Sequence, residues 1–247
     1  MKIGEDNTNF FHAMATQRYR RNTISSLKME NGEVTNDHVL MAGIAWESFK
    51  RRMGQSTGIE MGFQLQTLLQ RVSGLDVLSR PFEKEEMDLV IKQMPASKAP
   101  GPDGFNGMFL KKCWPIVCQD FYNLANDFHA GKVNLESINT SFITLIPKIG
   151  TPKAINDFRP ISLTNVCMKF LTKIAANRLQ DHILRCVHRN QYGFLKSRTI
   201  QDCLAWSFEY LYKCQASKRP VIILKIDFEK AFDTIEHEAI VQIIRAK

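Results

Sequence analysis

The stretch Pro220–Asp233 reads PVIILKIDFEKAFD and is the strongest indication of the class of fold. A proline introduces a run of branched apolar residues, which is typical of a central strand buried on both faces. The run ends in a carboxylate, Asp227, where the chain turns toward a helix. An acid in that position is where α/β proteins place metal ligands and catalytic groups, and a helix cap or turn former is the alternative. The stretch predicts a strand over residues 221–227 with a site at its end.

Helical periodicity covers most of the chain before that strand. The spacing of apolar residues predicts helices over residues 36–53, from Pro81 to Met94, from the loop at 98–105 to Gly131, after a capping Thr164, and from Ile200 onward. Branched and aromatic residues predict a strand at 141–147, and a last helix turns Ile240, Ile243 and Ile244 inward. The class is therefore α/β or α+β, and helix-rich.

Composition excludes several classes of protein. The chain has 247 residues, 44% of them hydrophobic, which is typical of a globular protein. It contains neither an apolar run of the ~18 residues that a membrane helix needs nor a secretory signal, so we expect a nuclear or cytoplasmic protein with no membrane partner. Six cysteines without a CxxC pair fit neither a disulfide scaffold nor a zinc ribbon, and reduced thiols are expected.

The positive charge is concentrated in one stretch. The net charge is +8, and residues Lys148–Lys230 hold 15 Lys and Arg against 6 Asp and Glu, whereas the rest of the chain holds 18 against 19. Such a stretch is expected where a surface faces phosphates, and a solvated basic face is the alternative.

Five motifs follow one another along the chain and resemble a known family. They are KAPGPDGF (98–105), LIPK (145–148), FRPISL (158–163), NQYGFLKSRT (190–199) and LKIDFEKAFD (224–233). In that order they closely resemble the reverse transcriptases of long interspersed, non-LTR retrotransposons, especially those of plants. The opening GEDNTNFFH and the basic RYRRN are similar to the segment that precedes the polymerase domain there. The resemblance implies a right-hand polymerase fold, with an extension over 1–80, fingers over 81–220 and the first palm strand and helix over 221–247.

The resemblance also implies roles for single residues. Asp227 matches the first catalytic aspartate and metal ligand of the palm. Lys148 and Arg159 match residues that grip the incoming triphosphate, and backbone amides from Phe228 to Ala231 would meet the same phosphates. Phe232 matches the aromatic residue that lies under the sugar and excludes a ribose 2′-hydroxyl, with core packing as the alternative.

A second group of residues is implied to contact the template. Gln191, Gly193, Phe194 and Arg198 match the fingers motif that lies along the template strand. Asp103, in the proline-glycine loop, is expected to be structural rather than catalytic.

The resemblance implies RNA-templated DNA synthesis with Mg²⁺, deoxynucleotides, an RNA template and a DNA primer, and no obligate protein partner is evident. The sequence departs from the family, because it contains neither the aromatic-x-Asp-Asp motif nor the glycine-glutamine motif. We therefore expect an amino-terminal piece that is inactive alone. The alternatives are a non-catalytic nucleic-acid-binding remnant and a metal-dependent nuclease built on Asp227, Asp233 and Glu236.

We predict that the basic stretch binds single-stranded RNA or DNA weakly and without sequence preference. Because contacts with the phosphate backbone release counterions, the affinity should fall steeply as salt is added. A labelled oligonucleotide titrated at two salt concentrations measures this effect. No binding at low salt, or an equal affinity at both concentrations, would contradict the prediction.

Overall fold

A computed structural model describes residues 9–53, 58, 62–228 and 231–247 of the chain. The described elements are α1 (Asn9–Asn22), β1 (Leu27–Lys28), β2 (Val34–Thr35), α2 (His38–Met53), α3 (Leu65–Leu68), α4 (Lys84–Gln93), α5 (Gly107–His129), α6 (Leu135–Ile138), β3 (Ser141–Pro147), β4 (Phe158–Thr164), α7 (Val166–Cys186), α8 (Ile200–Ala216), α9 (Ala231–Thr234) and α10 (His237–Ala246). β1 pairs with β2, and β3 pairs with β4. The predicted helix-rich class is confirmed. The start of GEDNTNFFH and most of the stretch 54–62 lie outside the described residues.

The chain divides into two compact units. The first comprises Met1–Ser56 and Leu145–Pro160, and the second comprises Thr57–Thr144 and Ile161–Lys247. The domain boundaries predicted after residues 80 and 220 stay a prediction.

The first unit has a small core. Leu27, Met41 and Phe158 are buried there. β1 and β2 are antiparallel, and the turn between them contains Gly32 at φ 92°, a left-handed conformation that favours glycine. α2 begins where Asp37 Oδ1 accepts a hydrogen bond of 2.7 Å from the Val39 amide, so its start lies close to the predicted one.

The second unit is held together by packing of α4, α5 and α7. Phe170 of α7 is fully buried, and its ring lies 5.0 Å from that of Phe121 and 6.1 Å from that of Trp114, centroid to centroid. The other buried residues of this core are Met87, Val90, Ile91, Met94, Leu110, Tyr122, Ala125, Val166, Leu171 and Ile174. Burial of each large apolar side chain stabilises the fold by about 1.5–3 kcal/mol. The apolar faces predicted for α4 and for the middle of α5 are confirmed.

One arginine fastens α7 to the start of α4. Arg178 Nε donates to Glu86 Oε1 at 2.8 Å and its Nη2 donates to Glu86 Oε2 at 2.7 Å, while the guanidinium lies 4.4 Å from the centre of the Phe82 ring. The hydrogen bond from Arg178 lowers the pKa of Glu86 below its ordinary value. The ionised carboxylate therefore stabilises the fold above that ordinary value, and the contribution is lost as the pH falls through the lowered pKa.

A second carboxylate joins α4 to α5. Asp88 Oδ1 accepts hydrogen bonds from Trp114 Nε1 at 2.8 Å and from the Tyr122 hydroxyl at 2.6 Å. The bond to Asp88 raises the pKa of Tyr122 to about 12. The polar atoms of Trp114 and Tyr122 at the edge of the aromatic core therefore keep a hydrogen-bond partner when the rings are buried.

The proline-glycine loop at 98–105 docks on the start of α7. Asp103 Oδ2 accepts a hydrogen bond of 2.6 Å from the Val166 amide, and the Asp103 amide donates to Asn165 Oδ1 at 3.1 Å. The structural role expected for Asp103 is confirmed. The predicted cap by Thr164 is wrong, because the N-cap position is Asn165 and the carboxylate of Asp103 satisfies the first amide of the helix.

The strand predicted over residues 221–227 is also wrong. Residues 221–228 form neither a helix nor a strand, and Ile222 is 96% exposed. A central strand needs neighbours that accept its hydrogen bonds and cover both faces. In the described part of the chain the only strand pairs are β1 with β2 and β3 with β4, so the segment has no such neighbour.

The apolar face of α8 and the predicted inward face of α10 are exposed for a similar reason. Ile200, Leu204 and Phe208 of α8 and Ile244 of α10 are mostly in contact with solvent. Apolar spacing predicts that a helix has an apolar face, but it does not supply the element that would cover this face.

Among the described helices, none combines the length and the apolar character needed to span a bilayer.

All six cysteines carry free thiols, as expected. Burial raises the pKa of the Cys167 thiol in the core of the second unit.

We expect Gly101→Ala to destabilise the second unit. A Cβ atom at Gly101 would lie 2.3 Å from the carbonyl oxygen of Thr164, a backbone atom that cannot rotate away. The free energy of unfolding should fall by about 1–3 kcal/mol, as for other overpacked sites. Urea denaturation measures the loss.

The control is Gly150→Ala, because nothing lies within 4 Å of a Cβ atom there. The free energy of unfolding of this variant should change by no more than about 0.5 kcal/mol. Equal losses in the two variants would contradict the docking of the 98–105 loop on α7.

Candidate nucleotide and nucleic-acid interface

Lys148 and Arg159 both lie on the surface of the first unit. The Lys148 amide donates to the carbonyl of Asp157 at 2.7 Å, and its Nζ donates to the carbonyl of Asn156 at 2.9 Å. Arg159 is exposed on β4, and no hydrogen bond or ion pair of its guanidinium is found among the residues that the structure describes. Both cations are accessible to an anion from solvent, as their predicted roles require.

The one acidic residue between them in the sequence, Asp157, is hydrogen-bonded to backbone amides. Asp157 Oδ2 accepts hydrogen bonds from the amides of Ala154 at 2.8 Å and Lys153 at 2.9 Å. These bonds lower the pKa of Asp157. The carboxylate therefore shapes the turn between β3 and β4 without forming a close ion pair with either cation.

The four residues predicted to contact a template lie on one loop between α7 and α8. Gln191 is exposed, and its Nε2 donates to the carbonyl of Gly193 at 3.3 Å. Phe194 is 93% exposed and has φ 63°. The half-buried Arg198 turns back into the loop, where its Nη1 donates to the carbonyl of His188 at 2.8 Å and to that of Gln191 at 2.7 Å.

The end of this loop is fixed by the start of α8. The Thr199 hydroxyl accepts a hydrogen bond of 3.2 Å from the Asp202 amide, and the Thr199 amide donates to Asp202 Oδ2 at 3.1 Å. This reciprocal pair is a capping box, which satisfies two amides at the helix start. Sequence reasoning did not identify His188 as part of the loop, because its contribution is a backbone carbonyl and carries no residue signal.

The structure brings together one predicted template residue and one predicted nucleotide residue. The rings of Phe194 and Phe232 lie 6.3 Å apart, centroid to centroid, with their planes at 88°. This edge-to-face geometry is favourable for aromatic rings. Phe232 is 85% exposed, so core packing, the alternative for this residue, is excluded.

Asp227, Phe228 and Ala231 are exposed in the segment between α8 and α10. Residues 229 and 230, whose amides belong to the predicted phosphate contact, lie outside the described residues. Across the described ranges, no group of three or more His, Cys, Asp or Glu side chains could hold a metal ion. The predicted nuclease triad of Asp227, Asp233 and Glu236 is therefore not formed, and Asp227 offers one carboxylate rather than a complete magnesium site.

Comparison with known proteins assigns the carboxy-terminal part of the chain. Residues 146–246 match the family model described as reverse transcriptase (RNA-dependent DNA polymerase). This segment is similar to reverse transcriptases. It contains Lys148, Arg159, the loop between α7 and α8, and Asp227.

The relatives of the chain are proteins of non-LTR retrotransposons, as predicted. The uncharacterized 149 kDa protein of transposon TX1 from Xenopus laevis is 26% identical over 244 residues, which are 96% of this chain and 18% of that protein. The Pol polyprotein of the type-2 retrotransposable element R2DM from Drosophila melanogaster is 30% identical over 161 residues, which are 65% of this chain and 15% of that protein.

A third relative is the RNA-directed DNA polymerase from the mobile element jockey of Drosophila melanogaster. It is 22% identical over 156 residues, which are 62% of this chain and 17% of that protein. The chain thus spans less than a fifth of the length of each of these three relatives. The predicted likeness to plant elements stays a prediction.

We predict that Lys148→Ala and Arg159→Ala leave the stability of the chain nearly unchanged. Both side chains are exposed, so the free energy of unfolding should change by no more than about 0.5 kcal/mol. Thermal melts measure it. Arg178→Ala is the contrasting variant and should lose about 2 kcal/mol or more, because Glu86 loses both hydrogen bonds from the guanidinium. A loss of that size at Lys148 or Arg159 would show that these cations are structural.

Proposed function

We propose that this chain acts as part of an RNA-directed DNA polymerase of a non-LTR retrotransposon. Its substrates would be an RNA template, a DNA primer and deoxynucleoside triphosphates, and its compartment the nucleus or cytoplasm. The observation that carries the proposal is the family match over residues 146–246, which includes the predicted nucleotide and template residues. The names of the relatives favour a polymerase over the non-catalytic alternative.

In this proposal Lys148 and Arg159 bind the triphosphate of the incoming deoxynucleotide. Two exposed cations flank a turn whose one carboxylate is held by backbone amides. The planar guanidinium of Arg159 suits two phosphate oxygens at once, and the ammonium of Lys148 acts as a point charge. Neutralising the phosphate charge would orient the nucleotide without a covalent step.

The segment around Asp227 carries the remaining nucleotide roles. We assign Phe228 and Ala231 to backbone contacts with phosphate, and the ring of Phe232 to the face of the sugar, where it excludes a 2′-hydroxyl. The exposure of Phe232 supports this assignment, because a ring that meets a ligand has to be accessible.

Asp227 is proposed as the catalytic carboxylate and as a ligand of Mg²⁺. The reverse transcriptase family generally uses divalent metal ions, which would activate the attacking hydroxyl and stabilise the leaving group. Carboxylate oxygen is the ligand type that Mg²⁺ prefers. Asp227 supplies one such ligand, and the described residues supply no cluster around it.

The loop with Gln191, Gly193, Phe194 and Arg198 is proposed to contact the RNA template. An exposed aromatic ring can stack on a base whatever its sequence, and neighbouring cations attract the backbone. We keep the predicted division into an extension over 1–80, fingers over 81–220 and the beginning of the palm over 221–247 as part of this proposal.

The nucleotide role can be tested by photo-crosslinking. Labelled deoxythymidine triphosphate, irradiated with the 247-residue chain, should label the protein. Arg159→Ala should reduce the labelling at least about tenfold, because a hydrogen bond between charged groups contributes about 1.5–3 kcal/mol. Lys132→Ala, which removes an exposed lysine outside the matched segment, is the control and should label like the original chain.

Equal labelling of all three proteins would contradict the triphosphate role.

The same preparation, given a primed RNA template, Mg²⁺ and deoxynucleotides, should not extend the primer, because the 247 residues contain no Asp-Asp pair. Extension that disappears in Asp227→Ala would show that other residues of this chain complete the catalytic site.

A further inference from the structure

Arg198 closes the loop between α7 and α8 from inside. Its Nη1 donates to the carbonyls of His188 and Gln191, at 2.8 and 2.7 Å, and its own amide donates to the carbonyl of Leu195 at 3.2 Å. These three acceptors are distributed along the loop. Arg198 therefore links three points of a segment that has no helix or strand of its own.

Phe194 lies within the same loop, but its ring faces solvent, whereas the Arg198 side chain bonds inside the loop. The Phe194 φ of 63° is in the left-handed region, which a residue with a Cβ atom adopts only when its surroundings impose it. Its ring is 93% exposed, so burial of the ring does not repay this conformation. Two contacts constrain Phe194 instead. The Arg198 side chain holds the carbonyls of His188 and Gln191 before it, and the Phe194 ring meets the edge of Phe232.

The neighbouring cations differ from Arg198 in their surroundings. Arg189 and Lys196 are exposed, whereas Arg198 is half-buried. Phosphates of a bound strand would therefore meet Arg189 and Lys196 first. The guanidinium of Arg198 is already engaged with backbone carbonyls on one of its nitrogens.

We propose that Arg198 is a positioning residue for nucleic-acid binding. It holds residues 188–198 in the conformation that presents the Phe194 ring to a base of a single-stranded template, and it acts through Phe194 rather than through a phosphate. This inference rests on the proposed function of the loop. It assigns the recognition of bases to a preformed stacking surface and the recognition of phosphate to the exposed cations around it.

The salt dependence of binding separates positioning from phosphate contact. The affinity of the chain for a labelled single-stranded RNA is measured over a series of salt concentrations. Arg198→Ala should weaken binding about three- to tenfold, as expected for lost hydrogen bonds, with the slope of log affinity against log salt unchanged. Lys196→Ala is the matched control and should reduce that slope by about 0.7, the value for one phosphate contact on a single strand.

Double variants test whether Arg198 acts through Phe194. Phe194→Ala alone should weaken binding, and Arg198→Ala added to it should cause no further loss. Arg198→Lys keeps the charge but loses the planar fork, so it should resemble Arg198→Ala more than the original chain. Additive losses, a reduced salt slope in Arg198→Ala, or full affinity in Arg198→Lys would each overturn the proposal.

Amide hydrogen exchange without nucleic acid tests whether the Arg198 side chain holds the loop in place. The amides of residues 188–198 should exchange faster in Arg198→Ala than in the original chain, while those of α4 and α5 should be unchanged and the thermal melt should be preserved. Unchanged exchange in the loop would overturn the proposal. If the original chain bound no RNA, the proposed function would fail. The exchange experiment would still show whether Arg198 stabilises the loop.

Discussion

The hydrogen bond from the Val166 amide to Asp103 joins segments 63 residues apart, and the second unit depends on it. It places a negative charge at the start of α7, where the helix dipole is positive and the first amides have no partner within the helix. α7 then carries Phe170 into the aromatic core and Arg178 onto Glu86. The stiff proline-glycine loop, the helix start and the helical core thus form one continuous arrangement.

The residues of the reverse transcriptase motifs divide into two groups in this arrangement. The charged side chains of Asp103 and Arg198 bind backbone groups of the protein. Asp103 accepts hydrogen bonds from two amides, and Arg198 donates to two carbonyls. Arg159, Phe194 and Asp227 are exposed, and their side chains are available to ligands. The motifs therefore combine residues whose side chains bind the protein's own backbone with residues whose side chains are exposed, and only the geometry separates the two groups.

Local patterns predicted the helices and the core better than they predicted the site. The apolar spacing of α4 was sufficient because α5 and α7 cover its apolar face. Residues 221–227 have an equally apolar pattern but form no strand, because strand formation needs partners that the described residues do not supply. The cap of α7 by Asp103 and the carbonyl contacts of Arg198 could not be predicted from spacing, since one joins distant segments and the other uses backbone atoms. The pairing of Phe194 with Phe232 is likewise a contact between distant residues.

The most direct measurement compares the free energies of unfolding of Asp103→Ala and Asp227→Ala by urea denaturation. Both changes remove one carboxylate from a family motif. Asp103→Ala should cost about 1–3 kcal/mol, because the Val166 amide loses its charged partner, and Asp227→Ala should stay within about 0.5 kcal/mol, because its side chain is exposed. Equal losses, or a larger loss at Asp227, would contradict the division of the motif residues into those that hold the fold together and those whose side chains are exposed.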